Sequence, residues 1–198
     1  MNPGNVMTAG QNKKGKVVVI SGPSGVGKST ICRELVKRLD NAYLSVSVTT
    51  RPRAATETEG RDYRFVSEQQ FRDMISAGAL LEYAEVFGHL YGTPREPVET
   101  ALAQGKTVIL EIDVKGGRQV KLIRPDAIMI FILPPSQRDL VERMRNRGRE
   151  DSQTAELRLD EAGSEIAAAW QYYEHMVIND NLEQAVNEVL EIVQSGGG

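Results

Sequence analysis

The sequence predicts an α/β fold organised around a parallel sheet, and three observations carry that expectation. Residues 16–20 (KVVVI), 107–112 (TVILEI) and 127–133 (AIMIFIL) are apolar, β-branched runs without polar alternation, the pattern of strands buried on both faces. Each gives way to a turn and then to a stretch of helical character, the order of a sheet covered by helices. Residues 46–97 break that rhythm, which marks them as an inserted lobe.

Taken in chain order, residues 1–15 are polar, show no helical or strand period and are expected to fray, as are residues 195–198. The first strand stops at Ser21-Gly22-Pro23, and Ile31, Leu35, Val36 and Leu39 then recur at helical spacing over 29–39. Within the lobe, 44–49 and 62–66 read as short β pieces, and Ser67 with Gln70 three residues on predicts a capped helix start. After the strands at 107–112 and 127–133, Ser136 with Asp139 predicts another cap, leading a helix with a Leu140, Val141, Met144 stripe that ends before Gly148. Residues 154–176 read as one long helix or two short ones. A last helix follows over 181–193, with Leu182, Val186, Val189 and Val193 on one face.

Composition excludes several classes. A chain of 198 residues suits one domain with an inserted lobe better than two independent cores. Lys and Arg number 24 against 27 Asp and Glu, so no basic excess points to nucleic acid. The longest apolar runs fall well short of the roughly 20 residues that cross a bilayer, and no apolar stretch behind the N-terminus suits a signal peptide. Cys32 is the sole cysteine, which excludes an intramolecular disulfide and fits a reducing cytoplasm. His89 and His175 are too far apart in sequence to suggest a local metal pair. Cys32, Trp170, Tyr172 and Tyr173 read as packing residues.

Gly22-Pro23-Ser24-Gly25-Val26-Gly27-Lys28-Ser29, followed by Thr30, satisfies G-x-x-x-x-G-K-[ST] with a strand before it and a helix after it. The glycines let backbone N–H groups converge on phosphate and the helix N-terminus adds partial positive charge. Lys28 is placed to reach the β- and γ-phosphates, and Ser29 to ligate magnesium. Such a loop fixes a nucleoside triphosphate but no reaction, leaving a GTPase switch, a motor ATPase or a kinase for a small acceptor. Asp113-Val-Lys-Gly116 has the D-x-x-G form of a GTPase switch, yet no N-K-x-D tetrapeptide follows it. Asn12-Lys-Lys-Gly15 precedes the loop and ends in glycine.

A second anion site is suggested by Ser47-Val-Thr49-Thr50-Arg51-Pro-Arg53 and Glu59-Gly60-Arg61-Asp62-Tyr63. Arginine forks match phosphate oxygens and a tyrosine hydroxyl adds a donor, the chemistry of a monophosphate acceptor. Standing alone, the segment reads more readily as a solvated basic loop.

With these motifs in order, residues 16–194 resemble the guanylate kinase family. The marks are SGPSGVGKST (21–30), SVSVTTRPR (45–53), EGRDYRFVS (59–67), LLEYAEVFGHLYGTP (80–94), ILEID (109–113), FILPPS (131–136), RMRNRGRE (143–150) and VIND (177–180). The resemblance implies a P-loop kinase with a five-stranded parallel core (16–45, 98–136 and 177–194), a GMP-binding lobe (46–97) and an arginine-rich lid (137–176). It implies phosphorylation of GMP, and of dGMP, by ATP with Mg2+. Ser47 and Glu82 match its guanine readers, with Gly92 and Thr93 beside them; Arg51, Arg53, Tyr63 and Tyr91 match its GMP-phosphate donors. Asp113 matches an acidic residue on the GMP side near the magnesium waters. In the lid, Arg143 corresponds to an ATP contact, and Arg147 and Arg158, with Lys28 and Arg53, to the catalytic cations. A carboxylate accepts from guanine N1–H and the 2-amino group together, a pair adenine lacks, so Glu82 can select the base; taken alone it reads as a solvated charge at a helix end.

One departure stands out. The family spaces its arginines T-T-R-x-P-R, whereas Thr50-Arg51-Pro52-Arg53 is one residue short and regains register before Tyr63. The interleaved acids Asp139, Glu142, Glu150 and Asp151 make the arginine stretch a poor nucleic-acid patch. The rival readings are a non-catalytic, protein-binding relative of the family and a kinase for another nucleoside monophosphate. The expected enzyme is a monomer or small homo-oligomer without membrane or nucleic-acid partners.

Overall fold

A computed structural model describes residues 15–146 and 162–196. The elements run β1 (Lys16–Ser21), α1 (Lys28–Arg38), β2 (Ala42–Leu44), β3 (Val48–Thr49), β4 (Arg64–Phe65), α2 (Glu68–Ser76), β5 (Leu80–Val86) and β6 (His89–Pro94). Then come α3 (Arg95–Ala103), β7 (Thr107–Glu111), α4 (Val114–Ile123), β8 (Ile128–Leu133), α5 (Gln137–Asn146), α6 (helical over 162–169), β9 (His175–Ile178) and α7 (Leu182–Ser195).

Five strands form a wholly parallel sheet in the order β2-β7-β1-β8-β9. Its strands lack polar alternation because both faces are buried. Val17, Val19, Val108, Leu110, Met129 and Phe131 enter one core with α3, α4 and Ala169 of α6. Val18, Ile20, Ile109, Ile128, Ile130 and Ile132 enter the other with α1 and α7. Period-two alternation therefore persists, but it sorts apolar residues between two cores rather than apolar from polar.

The lobe carries a second sheet, β4-β3-β6-β5, and α2. Its own core is small, with Val48, Phe71 and Leu80 buried and Val66, Met74, Ile75 and Leu90 against them. The expected cap of α2 is present: Gln70 N–H donates to Ser67 Oγ, and Ser67 N–H donates to Gln70 Oε1. Likewise Asp139 N–H donates to Ser136 Oγ at the start of α5.

Three sequence expectations are corrected. The β piece at 44–49 is divided: Leu44 pairs with Ile109 in the main sheet and Val48 begins the small one. Between them the chain crosses from core to lobe. The helix expected to reach 176 ends at 169, because Met176 and Val177 pack into opposite cores as an edge strand paired with Phe131 and Ile132. His175 and Met176 thus belong to the sheet, not to the lid. Ser195, expected to fray, closes α7, whose C-cap Gly196 has φ +86° and donates its N–H to Ile192 O. The expected fraying of 1–14 and 197–198, and the helix start expected at 154, lie outside the described residues. No helix among the described residues is long and apolar enough to cross a membrane.

Candidate active site

The donor loop stands at the C-terminal end of β1, the central strand, where ligands gather in open parallel sheets. Gly27 has φ +104°, a conformation that side-chain-bearing residues avoid, and a Cβ there would strike Asn179 Nδ2. No side chain caps the start of α1 and its first turn holds no acidic residue, so its N-terminal field is open to an anion. Lys28 Nζ folds over the loop and donates to the carbonyls of Gly22 and Pro23. Ser29 Oγ donates to Glu111 Oε1 at 2.5 Å.

Two of these partners were not singled out by the sequence reading. Asn179 is buried, and its Nδ2 donates to Val26 O at 2.8 Å, bracing the loop from β9. Its signal was the VIND motif, visible but without a role. Glu111 ends β7 beside β1, with Ile20 as its register partner; an acid closing a buried strand next to the P-loop strand was the signal that could have found it.

On the acceptor side, Arg51 is held on three sides. Its Nη1 and Nη2 donate to Glu57 Oε2 and Oε1 (3.1 and 2.7 Å), Nε donates to Tyr91 Oη (3.2 Å), and the guanidinium lies over the rings of Tyr63 and Phe65 at 5.4 and 5.8 Å. Tyr63 meets Tyr91 edge-on at 5.9 Å, and burial pushes its hydroxyl pKa up. Glu57 Oε2 also accepts from Ala54 N–H. Glu57 is a further residue the sequence reading passed over, because only the turn brings it back onto Arg51. Arg53 is exposed, and its Nη1 donates to Glu57 O at 2.9 Å. The shortened spacing thus leaves Arg53 on the backbone of the turn while Arg51 joins Tyr91.

Glu82 is no solvated helix end: it lies on β5 and is 3% exposed. A β-bulge between Leu80 and Glu82 shifts the ladder so that Leu80 faces Pro94 while Glu82 faces Thr93, and bulges of this kind re-aim side chains beside functional sites. Thr93 Oγ1 donates to Glu82 Oε1 at 2.6 Å. Burial raises the Glu82 pKa to about 7; the Thr93 hydrogen bond opposes the rise and the Asp113 charge adds to it. A Cβ on Gly116 would strike Glu82 Oε2, so the start of α4 sits directly on the carboxyl group. Asp113 caps that helix, its Oδ1 accepting from Lys115 and Gly116 N–H at 2.7 and 3.1 Å, which gives the D-x-x-G resemblance a local structural meaning. Gly92 pairs with Val48 and Tyr83 between the lobe strands. Ser47 precedes β3, half-buried.

A guanylate kinase family model matches residues 14–196. The chain belongs to the guanylate kinase family. The guanylate kinase of Thermosynechococcus vestitus is 50% identical over 180 residues, covering 91% of this chain and 94% of that one. That of Carboxydothermus hydrogenoformans is 48% identical, covering 89% and 86%. A crystal structure of guanylate kinase from Anaplasma phagocytophilum superposes with a TM-score of 0.79 at 32% identity, covering 93% of this chain and 87% of that one. The chain is accordingly an enzyme that phosphorylates GMP to GDP with ATP. Arg143 lies on α5, and Arg147 and Arg158 lie outside the described residues.

Proposed function

We propose the following division of labour for that reaction. ATP lies with its phosphates in the loop 22–29 and against Thr30, where backbone N–H groups and Lys28 hold the β- and γ-phosphates. Two hard oxygen donors, Ser29 Oγ and the Glu111 carboxylate, meet beside the loop, a donor set that suits Mg2+. When bound, the ion neutralises phosphate charge. GMP occupies the lobe, with Glu82, Thr93, Ser47 and Gly92 at the base, Asp113 at its edge, and Arg51, Tyr63 and Tyr91 at its phosphate. Arg53 braces the turn through Glu57 O.

The acceptor phosphate oxygen attacks the γ-phosphorus in line, so no covalent enzyme intermediate forms and catalysis is positioning with charge stabilisation. Arg143, Arg147 and Arg158 of the lid add cations as it closes, and closure excludes water that would otherwise hydrolyse ATP. The enzyme works in the cytoplasm as a monomer or small homo-oligomer, and divides into core, lobe and lid.

The observation that carries the acceptor assignment is the buried Glu82–Thr93 pair: a buried carboxylate is matched by two guanine donors, which adenine does not offer. The complete donor loop, with Lys28, Ser29 and Glu111 in place, favours a kinase over a non-catalytic binding relative. A coupled assay of ADP formation across GMP, dGMP, AMP, UMP and CMP tests the reading. Turnover with GMP and dGMP alone supports it, and comparable turnover with AMP contradicts it.

A further inference from the structure

The strands that carry the two half-sites part company at a single point. Ile112 N–H still donates to Ile20 O at 3.3 Å, continuing the β1–β7 ladder. Beyond it β1 turns into the donor loop at Gly22, and β7 turns into Asp113 and α4 beneath Glu82. A separating pair of strands leaves backbone groups without ladder partners, and a buried carbonyl cannot be left so without cost.

At this fork Ser21 Oγ donates to Ile112 O at 2.7 Å. Having spent its one proton there, the hydroxyl accepts from Tyr173 Oη at 2.6 Å. Ser21 is fully buried and Tyr173 nearly so. The ring is seated edge-on against Phe131 of β8, centroids 5.5 Å apart. Burial pushes the phenol pKa up, so the group is a neutral donor. Gly117, on the first turns of α4, has no side chain because a Cβ there would strike Tyr173 Oη. Tyr173 follows α6 and precedes β9, so the chain leaving the last helix of the lid segment is tied to both half-sites at once.

We propose that Tyr173 is a positioning residue for phosphoryl transfer. Its hydroxyl, through Ser21, fixes the donor loop relative to the Asp113–Gly116 helix start that underlies the acceptor base. It touches neither substrate, and its contribution is to register. This inference rests on the kinase reading of the two half-sites. Misplacement of reacting groups by a fraction of an ångström lowers turnover while leaving each half-site able to bind its own nucleotide.

The test uses the whole 198-residue chain. Tyr173→Phe keeps the ring and removes the hydroxyl, and is expected to lower kcat about tenfold with the KM values for GMP and ATP within twofold. Ser21→Ala should lower kcat similarly, and the double variant should be no worse than either single one, because both break one relay. Gly117→Ala should mimic the defect by displacing the hydroxyl, and combining it with Tyr173→Phe should add no further loss. Unchanged kcat in Tyr173→Phe at a temperature where the variant is folded overturns the proposal, whatever happens to its Tm. Additive losses in the double variants also overturn it, since they make the groups independent. Loss of kcat accompanied by an equal rise in the KM for GMP assigns Tyr173 to acceptor binding instead. Failure of wild type to phosphorylate GMP would overturn the kinase reading itself, a separate result from any of these.

Discussion

On the proposed division of labour, the donor loop and the acceptor lobe bind phosphate-bearing nucleotides by opposite means. The proposed donor site is a run of eight residues, 22–29, whose backbone N–H groups would do much of the binding, anchored on a strand buried in two cores. The proposed acceptor site is assembled from side chains on β5, β6, the 51–63 loop and the start of α4, over a core of three buried apolar residues. A triphosphate tail is common to every donor nucleotide and can be gripped by generic N–H groups. A base has to be told from other bases, which takes side chains converging from distant parts of the chain.

That contrast can be broken from either side. Phe71→Ala empties the centre of the lobe core, a change that costs about 3 to 5 kcal/mol at a fully buried site, and it should loosen the lobe without unfolding the main sheet. The KM for GMP is expected to rise more than tenfold while ATP binding, followed by calorimetry, persists. Loss of both together would show the lobe to be no separate unit of stability.

Lys28→Met removes the cation that the proposal sets against the transferring phosphoryl group. It should lower kcat by at least ~10², about 3 kcal/mol, with GMP binding nearly intact; wild-type turnover would unseat the donor assignment.

At the acceptor phosphate, Arg51→Ala is expected to raise the KM for GMP about 30-fold, roughly 2 kcal/mol for a charged hydrogen bond, and Arg53→Ala less than threefold. Equal losses would place both guanidinium groups on the phosphate despite the shortened spacing.

A pH dependence confined to the acceptor is also expected. Burial, reinforced by the Asp113 charge, holds the Glu82 pKa at about 7, and on the proposed reading guanine binds the ionised form. Below about pH 7 the KM for GMP should rise, by up to about tenfold per pH unit, while that for ATP stays flat. The sign for stability is opposite. A raised acid pKa favours the fold most below the ordinary value of 4.5 and loses that contribution as pH rises through about 7. Acid should therefore strengthen the unliganded lobe while weakening GMP, which Tm and KM measured from pH 5.5 to 8.5 would check.

The same contrast explains what was legible in the sequence. Strand β1, the loop and α1 lie within residues 16–38, and each signal there is local: a β-branched run, glycines at fixed spacing, a helical stripe. The caps at Ser67 and Ser136 were legible for the same reason. Glu82 is matched to a guanine reader only through the resemblance; taken alone it reads as a solvated helix-end charge, because no local pattern announces a bulge, and its burial follows from Thr93 and Gly116, 11 and 34 residues away. Glu57 reaches Arg51 only through the turn between them. Strand β9 was hidden because four residues are too few to show a period against the helical pattern before them. Tyr173 read as packing, which is true of its ring; its hydroxyl has a partner 152 residues away.

The measurement that bears most directly on the account is kcat/KM for GMP and for AMP in Glu82→Gln. The substitution keeps volume and turns one acceptor into a donor facing guanine N1–H or the 2-amino group. The account predicts that kcat/KM for GMP falls by ~10² or more, about 3 kcal/mol, that discrimination against AMP shrinks with it, and that the KM for ATP is little changed. A variant that phosphorylates GMP as well as wild type, with AMP still rejected, would contradict it and move base recognition to Ser47, Thr93 or Asp113.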